Sequence, residues 1–194
     1  MRLFFGLPIP QDLRDRLTEL QENLKASLPP SGFRWTRAEL FHVTLAFLGE
    51  VPETSVPQLC AMAADLCARH PVSALAFTRF GSFPSAKNPR VLWVGCQEDD
   101  PAVKDLSQLG TELSEQCARL GDSKPDNKVV LHVTLARSSR RASPETAKQV
   151  QSLYDSVSLE TLPQAPITEA ILYHSTLGEG PTRYQPIGRF PLNA

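Results

Sequence analysis

Apolar positions along the chain change period several times, and each change marks an element. "RLFFGLP" from Arg2 is a short, nearly continuous apolar run and predicts a buried strand. Leu13, Leu17, Leu20 and Leu24 then recur at helical spacing among charged residues, and "PPSGF" ends that helix. "RWT" from Arg34 and "LFHVTLAFLGEV" from Leu40 are rich in β-branched and aromatic residues and predict strand. A second helix is expected from about Thr54 to Arg69, with Val56, Leu59, Ala63 and Leu66 inward and Pro71 as its stop. "VSALAFTRFGSF" and "RVLWVGC" predict strands around the turn-rich "PSAKNP". Asp100-Pro101 is a cap and first-turn pair. It opens a helix with Val103, Leu106, Leu109 or Gly110, Leu113, Cys117 and Leu120 on one face. After the loop "GDSKPDN", "KVVLHVTLAR" predicts a strand and Ser143-Pro144 a fourth helix to about Ser156. Strands near "SLETL", "EAILYHSTL" and "TRYQPIGRF" close the chain, the last two joined by "GEGP".

Runs of strands with interspersed helices predict an α+β fold with helices packed outside antiparallel sheets. His-Val-Thr-Leu-Ala occurs twice, from His42 and from His132, once in each half of the chain. In a strand, residues i and i+2 share a face. Each copy therefore has an apolar back (Val43 and Leu45; Val133 and Leu135) and a polar front (His42 and Thr44; His132 and Thr134). The two front residues start roughly 7 Å apart and can converge on one small anion. Two histidines flanking a phosphate suit phosphodiester chemistry: one neutral imidazole takes a proton, the other, protonated, gives one. An ordinary histidine pKa near 6.5 lets both forms coexist close to neutrality. The hydroxyls and a nearby cation would hold the phosphoryl oxygens, and no metal or other cofactor is required.

Composition adjusts this picture only slightly. The chain has 194 residues, 41% hydrophobic and 21% charged, which fits one domain over 1–194. Its formal net charge of −1 argues against a long electrostatic track for duplexes and for a local grip on a few nucleotides. The opening "MRLFFGLPIP" is too short for a signal core or membrane span, and the four cysteines form no CxxC pair. A cytoplasmic setting with reduced thiols is expected, with no membrane partner and, absent an oligomer signal, a monomer.

These landmarks together resemble the two-histidine phosphoesterases, and within them the RNA 2′,3′-cyclic phosphodiesterases, historically called 2′–5′ RNA ligases. "RLFFGLPIP" resembles that family's opening strand, "LFHVTLAFLGEV" and "HVTLAR" its two histidine blocks, "RVLWVG" its central strand and "LYHSTLGEGPTRYQPI" its closing hairpin. The resemblance implies a bilobed, pseudo-twofold fold with two antiparallel sheets facing a central cleft. It implies hydrolysis of 2′,3′-cyclic phosphate ends of RNA to 2′-phosphomonoesters. His42 would then be the general acid, His132 the general base, and Thr44, Thr134 and Arg137 the phosphate ligands. Arg137 lies an odd number of residues from His132, so a bulge or the strand's end must turn it toward the site. The family usually has proline before the second histidine; Leu131 stands there, which concerns the approach around Lys128. A related phosphodiesterase acting on a small cyclic nucleotide, 2′–5′ ligation, and an RNA-end-binding module without turnover are the alternatives.

Other residues carry weaker signals. In a regular strand Phe47 faces away from His42, and core packing is its default, with base stacking as the functional alternative. Arg34, Trp35 and Arg37 could border the cleft, and "RSSRR" from Arg137 could steer phosphates. Cys60, Cys67 and His70 share roughly one helix face, where buried thiols are a better reading than a metal site. His174 has no assigned role.

Overall fold

The computed structural model describes residues 1–30, 32–120, 129–138, 142–176 and 182–194. Its main sheet begins with β1 (Arg2–Pro8), β2 (Arg34–Trp35) and β3 (His42–Glu50). It continues with β5 (Arg79–Ser85), β6 (Asn88–Gly95), β7 (His132–Arg137), β9 (Glu169–Thr176) and β10 (Arg183–Pro191). β4 (Ser73–Leu75) and β8 (Ala165–Ile167) form a separate two-stranded ladder. The helices are α1 (Gln11–Ser27), α2 (Val56–Cys67), α3 (Pro101–Leu120) and α4 (Pro144–Ser156).

The main path runs β10-β9-β1-β3-β7-β6-β5, with β2 added at β7, and its pairs are antiparallel. The two antiparallel halves meet between β3 and β7, where Val43 pairs with Val133. The expected pair of sheets is thus one sheet in two halves, hinged on a single recorded residue pair. Val43, Leu45, Val133 and Leu135 are buried on the back, against α1 (Leu13, Leu17, Leu24) and α3 (Leu106, Leu109, Leu113), in one apolar cluster that runs through both halves.

Sequence and structure agree where local chemistry is strong. The Asp100 carboxylate accepts from the Ala102 N–H at 2.8 Å, and the Ser143 hydroxyl accepts from the Thr146 N–H at 3.1 Å, so both caps form as read. They part at three places. "VSALAFTRFGSF" is two strands in different ladders, because the chain leaves the small ladder at Leu75 and enters the main sheet at Arg79. "SLETL" is no strand; the neighbouring β8 pairs instead with β4. On α1 it is Gln21, not Leu20, that is fully buried, because its amide has backbone carbonyls to meet. Residues 121–128, 139–141 and 177–181, which hold all of "GDSKPDN", the end of "RSSRR" and the "GEGP" turn, lie outside the described residues.

Both motif strands carry a bulge at the same point. β1 residues Phe5 and Gly6 face Ala46 and Thr44, so Leu45 is skipped. β6 residues Leu92 and Trp93 face Ala136 and Thr134, so Leu135 is skipped. The bulge carbonyls are covered differently. Leu135 O accepts from Gln21 Nε2 of α1 at 2.7 Å and from the Thr36 N–H at 2.8 Å. Leu45 O instead lies against Gly110 of α3, where an added Cβ would sit 2.8 Å from it and 3.1 Å from Val129.

Gly110→Ala tests that contact. Alanine gains about 1 kcal/mol of helix propensity over glycine. The clash with backbone should outweigh it, for a net loss of about 1–3 kcal/mol and a lower Tm in calorimetry. Unchanged or raised stability would show that α3 does not press on the bulge.

Candidate active site

Antiparallel pairing of Val43 with Val133 sets His42 across from Thr134 and Thr44 across from His132. Residues opposite each other share a face, so all four polar side chains stand on the same side of the sheet. A local twofold axis through the Val43–Val133 pair exchanges the two motifs. In a regular ladder the histidines are then diagonal neighbours, about 7–8 Å apart. Their burial repeats as well: His42 and Thr44 are partly exposed between buried Val43 and Leu45, as are His132 and Thr134 between buried Val133 and Leu135.

The imidazoles are oriented in the same way. His42 Nδ1–H donates to the carbonyl of Leu40 at 2.7 Å, and His132 Nδ1–H donates to that of Val130 at 2.7 Å. In each case the acceptor lies two residues upstream. This tautomer leaves both Nε2 atoms for the cleft. The Thr44 hydroxyl donates to His42 Nε2 at 3.1 Å.

The Leu135 bulge changes the strand's parity, leaves Leu135 and Ala136 both buried and turns Arg137 outward. Arg137 Nη2 donates to Thr134 Oγ1 at 3.3 Å. The Leu45 bulge does the same for Phe47, its twofold counterpart. Phe47 is therefore not on the far face of a regular strand: it is 50% exposed, and its ring lies 5.8 Å from Phe4, whose ring is 4.9 Å from His42. The two flanks of the axis thus differ. His42, Thr134 and Arg137 line a cleft of about 420 Å³ together with Arg34, Arg37 and Tyr184. His132 is flanked by the rings of Phe83 at 5.1 Å and Trp93 at 6.0 Å.

These rings were not singled out from the sequence. Phe4, Tyr173 and Tyr184 surround His42, with Tyr184 edge-on at 5.1 Å. Gly6 leaves the room: a Cβ there would meet Val43 O at 3.0 Å, the Phe4 ring at 3.3 Å and the His42 ring at 3.4 Å. Alternation in "RLFFG" predicts that Phe4 and Gly6 share a face, but only the pairing of β1 with β3 shows that it is the histidine face.

Burial sets the electrostatics. Desolvation pushes His42 down from 6.5 to about 4; the Leu40 carbonyl pulls the other way, and the charges of His132 and Arg137 add to the lowering. His132 is also lowered, first by burial and then by Arg137, against the Val130 carbonyl. Burial raises the phenols of Tyr173 and Tyr184. Both imidazoles are therefore mainly neutral at pH 7.

The remaining candidates lie elsewhere. His70 is buried with Nδ1 3.1 Å from Asp105 and Nε2 3.4 Å from Glu112, so it ties the end of α2 to α3. Cys67 is buried and Cys60 half-exposed, both raised by burial, and among the described residues no three His, Cys, Asp or Glu side chains gather as a metal site. His174 follows Tyr173 on β9 and so points to the other side of the sheet. Leu131 is buried just before β7, while Lys128 lies outside the described residues.

Comparison with known proteins adds the family. The model of the LigT like Phosphoesterase family matches residues 7–93. The RNA 2′,3′-cyclic phosphodiesterase of Geobacillus stearothermophilus is 29% identical over 97% of this chain, which spans 56% of that protein. The RNA 2′,3′-cyclic phosphodiesterase of Thermus thermophilus is 32% identical over 71% of this chain and 68% of its own length. The crystal structure of E. coli LigT complexed with 3′-AMP superposes with a TM-score of 0.78 at 28% identity, over all of this chain and 98% of the other. With its twofold-related histidine strands and this fold in common, the chain belongs to the LigT-like phosphoesterase family.

Proposed function

We propose that this protein hydrolyses the 2′,3′-cyclic phosphate at an RNA end to a 2′-phosphomonoester, as the names of its relatives suggest. The observation that carries the reading is the pair of imidazoles on one face of the sheet, each with Nδ1 fixed by a backbone carbonyl and Nε2 on the opposite edge of the ring, that of His42 beside the Thr44 hydroxyl. Water attacks phosphorus in line with the bond to the ribose O3′. His132 Nε2 takes the proton of that water, the P–O3′ bond breaks, and His42 Nε2 gives its proton to O3′. Thr44, Thr134 and Arg137 hold the non-bridging oxygens as charge builds on them. No metal enters these steps.

The twofold relation alone would leave the roles interchangeable. The flanks break the tie. The leaving oxygen belongs to the ribose, so the nucleoside must lie beside the acid. His42 opens on the cleft with its cations, whereas His132 is flanked by Phe83 and Trp93, which suits a small nucleophile. A base leaving the cleft on the β1 side meets the exposed ring of Phe47, where it can stack. The four cysteines are free thiols and no helix among the described residues is long and apolar enough to cross a membrane; we place the activity in the cytoplasm, in a monomer.

His42 must be protonated to act as acid, yet burial depresses it to about 4 in the empty site. The negative phosphate restores it. Substrate and proton then bind together, and each strengthens the other.

His42→Ala and His132→Ala should each lower kcat by about 10²–10⁴-fold in an assay for 2′-phosphate on cyclic-ended RNA, and EDTA should leave the intact protein active. An intact protein that forms no product would leave only RNA-end binding, and loss to EDTA would demand a metal. For the pH dependence, kcat/KM follows the empty site, whose histidines are both lowered, so its optimum should lie below pH 6.5. The alkaline limb of kcat, which follows the bound state, should sit at higher pH. Coincident limbs would disprove the coupling. Calorimetry of 2′-AMP binding at pH 7 in buffers of different ionisation enthalpy should show proton uptake, with affinity rising from pH 8 to pH 6. Binding without uptake would contradict it.

A further inference from the structure

β2 is only two residues long, and among the described residues its strand partner is the end of β7. That pairing sets Arg34 directly opposite Arg137. Opposite residues of an antiparallel pair share a face with Cβ atoms about 4.5–5.5 Å apart, and like charges placed so destabilise the sheet. Four arginines elsewhere in the fold meet a carboxylate. Arg16 meets Glu19, Arg37 meets Glu39, Arg79 meets Glu98 and Arg189 meets Glu169. Among the described residues no carboxylate lies within ion-pair distance of Arg34 or Arg137. Arg137 spends one N–H on Thr134, and the Arg34 guanidinium has no hydrogen-bond partner among the described residues.

The backbone that presents Arg34 is nonetheless firmly placed. The Thr36 N–H donates to Leu135 O, and Gln21 Nε2 bridges Leu135 O at 2.7 Å and Thr36 O at 2.9 Å. Trp35 packs near Phe33, and the Lys25 ammonium lies 5.7 Å from its ring centroid. Arg37, three residues on, has a different job. It reaches the Thr182 carbonyl at 2.5 Å and Glu39 at 2.9 Å, joining the start of β10 to the segment before β3 as a wall of the cleft.

A repulsive pair held in place, open to the cleft and without a protein counter-charge, is an anion site with two cations. Arg137 is already assigned to the reacting phosphate. We propose that Arg34 binds the next phosphate along the strand, the one attached to the 5′ oxygen of the terminal nucleotide. This inference rests on the RNA-end reading above. It makes the protein a reader of strand ends that prefers a nucleotide carrying a 5′ phosphate or phosphodiester over a bare cyclic nucleotide. It also reconciles RNA recognition with a net charge of −1: two adjacent arginines give the local grip that overall charge does not.

Three substrates test it: adenosine 2′,3′-cyclic phosphate, the same nucleotide with a 5′ phosphate, and the dinucleotide ApA with a 2′,3′-cyclic end. The intact protein should favour the second and third over the first by about tenfold in kcat/KM, as one charge-assisted phosphate contact allows. The logarithm of that preference should fall with the logarithm of salt with a slope of about −0.7. Arg34→Gln should bring the preference close to unity and flatten the slope, Arg34→Lys should keep part of it, and Arg79→Ala should keep all. Turnover of the bare cyclic nucleotide by each variant reports that it is folded. Equal turnover of all three substrates by the intact protein would overturn the inference and leave the proposed function standing. A preference that survives Arg34→Gln would also overturn it and move recognition to the neighbouring nucleoside. No turnover of any of the three would overturn both.

Discussion

The site depends on one antiparallel contact, the pairing of Val43 with Val133. Because the strands run in opposite directions, that pair is a twofold axis for the two copies of His-Val-Thr-Leu-Ala. Everything symmetric about the site follows from it: the threonine across from each histidine, the shared face, and the matching bulges at Leu45 and Leu135. Parallel pairing of the same strands would set His beside His and Thr beside Thr, with no dyad between them. A slip by one residue would turn the polar front of one motif into the core. The buried Val and Leu back faces oppose that slip, so the hydrophobic effect fixes the register on which the chemistry relies.

Asymmetry is layered on this frame by residues outside the repeat. Arg137 and Phe47 occupy equivalent places after the two bulges, yet one is a cation and the other an aromatic ring. β2 adds Arg34 to one side only, and Phe83 and Trp93 flank the opposite imidazole. A symmetric pair of imidazoles thereby acquires a direction, with the cations of the cleft beside His42. Neutral imidazoles in the empty site keep positive charge low until an anion arrives, which limits like-charge repulsion among His42, His132 and Arg137.

Much of this was legible in the sequence, for identifiable reasons. The helices announced themselves through leucine spacing and through the caps at Asp100 and Ser143. The repeat announced the site, because its alternation puts His and Thr on one face whatever the partner strand. The parity of Arg137 called for a bulge or a strand end to turn it in, and the pairing of β6 with β7 has the bulge. Phe47 needed the same correction and did not announce it: nothing in "HVTLAF" marks Leu45 as the skipped residue. The aromatic surround of His42 and the charge pair of Arg34 with Arg137 depend on which strands become neighbours, and contacts of that kind are set by tertiary pairing. "SLETL" failed for the same reason, since a short apolar segment becomes a strand only where a free sheet edge awaits it.

The two bulge carbonyls carry a last implication. Leu135 O, in the second half of the chain, is held by Gln21 of α1 from the first. Leu45 O, in the first half, rests on Gly110 of α3 from the second. At the bulges, therefore, each half braces the other's motif. The position of either imidazole thus draws on side chains from both halves of the sequence, which share one apolar cluster.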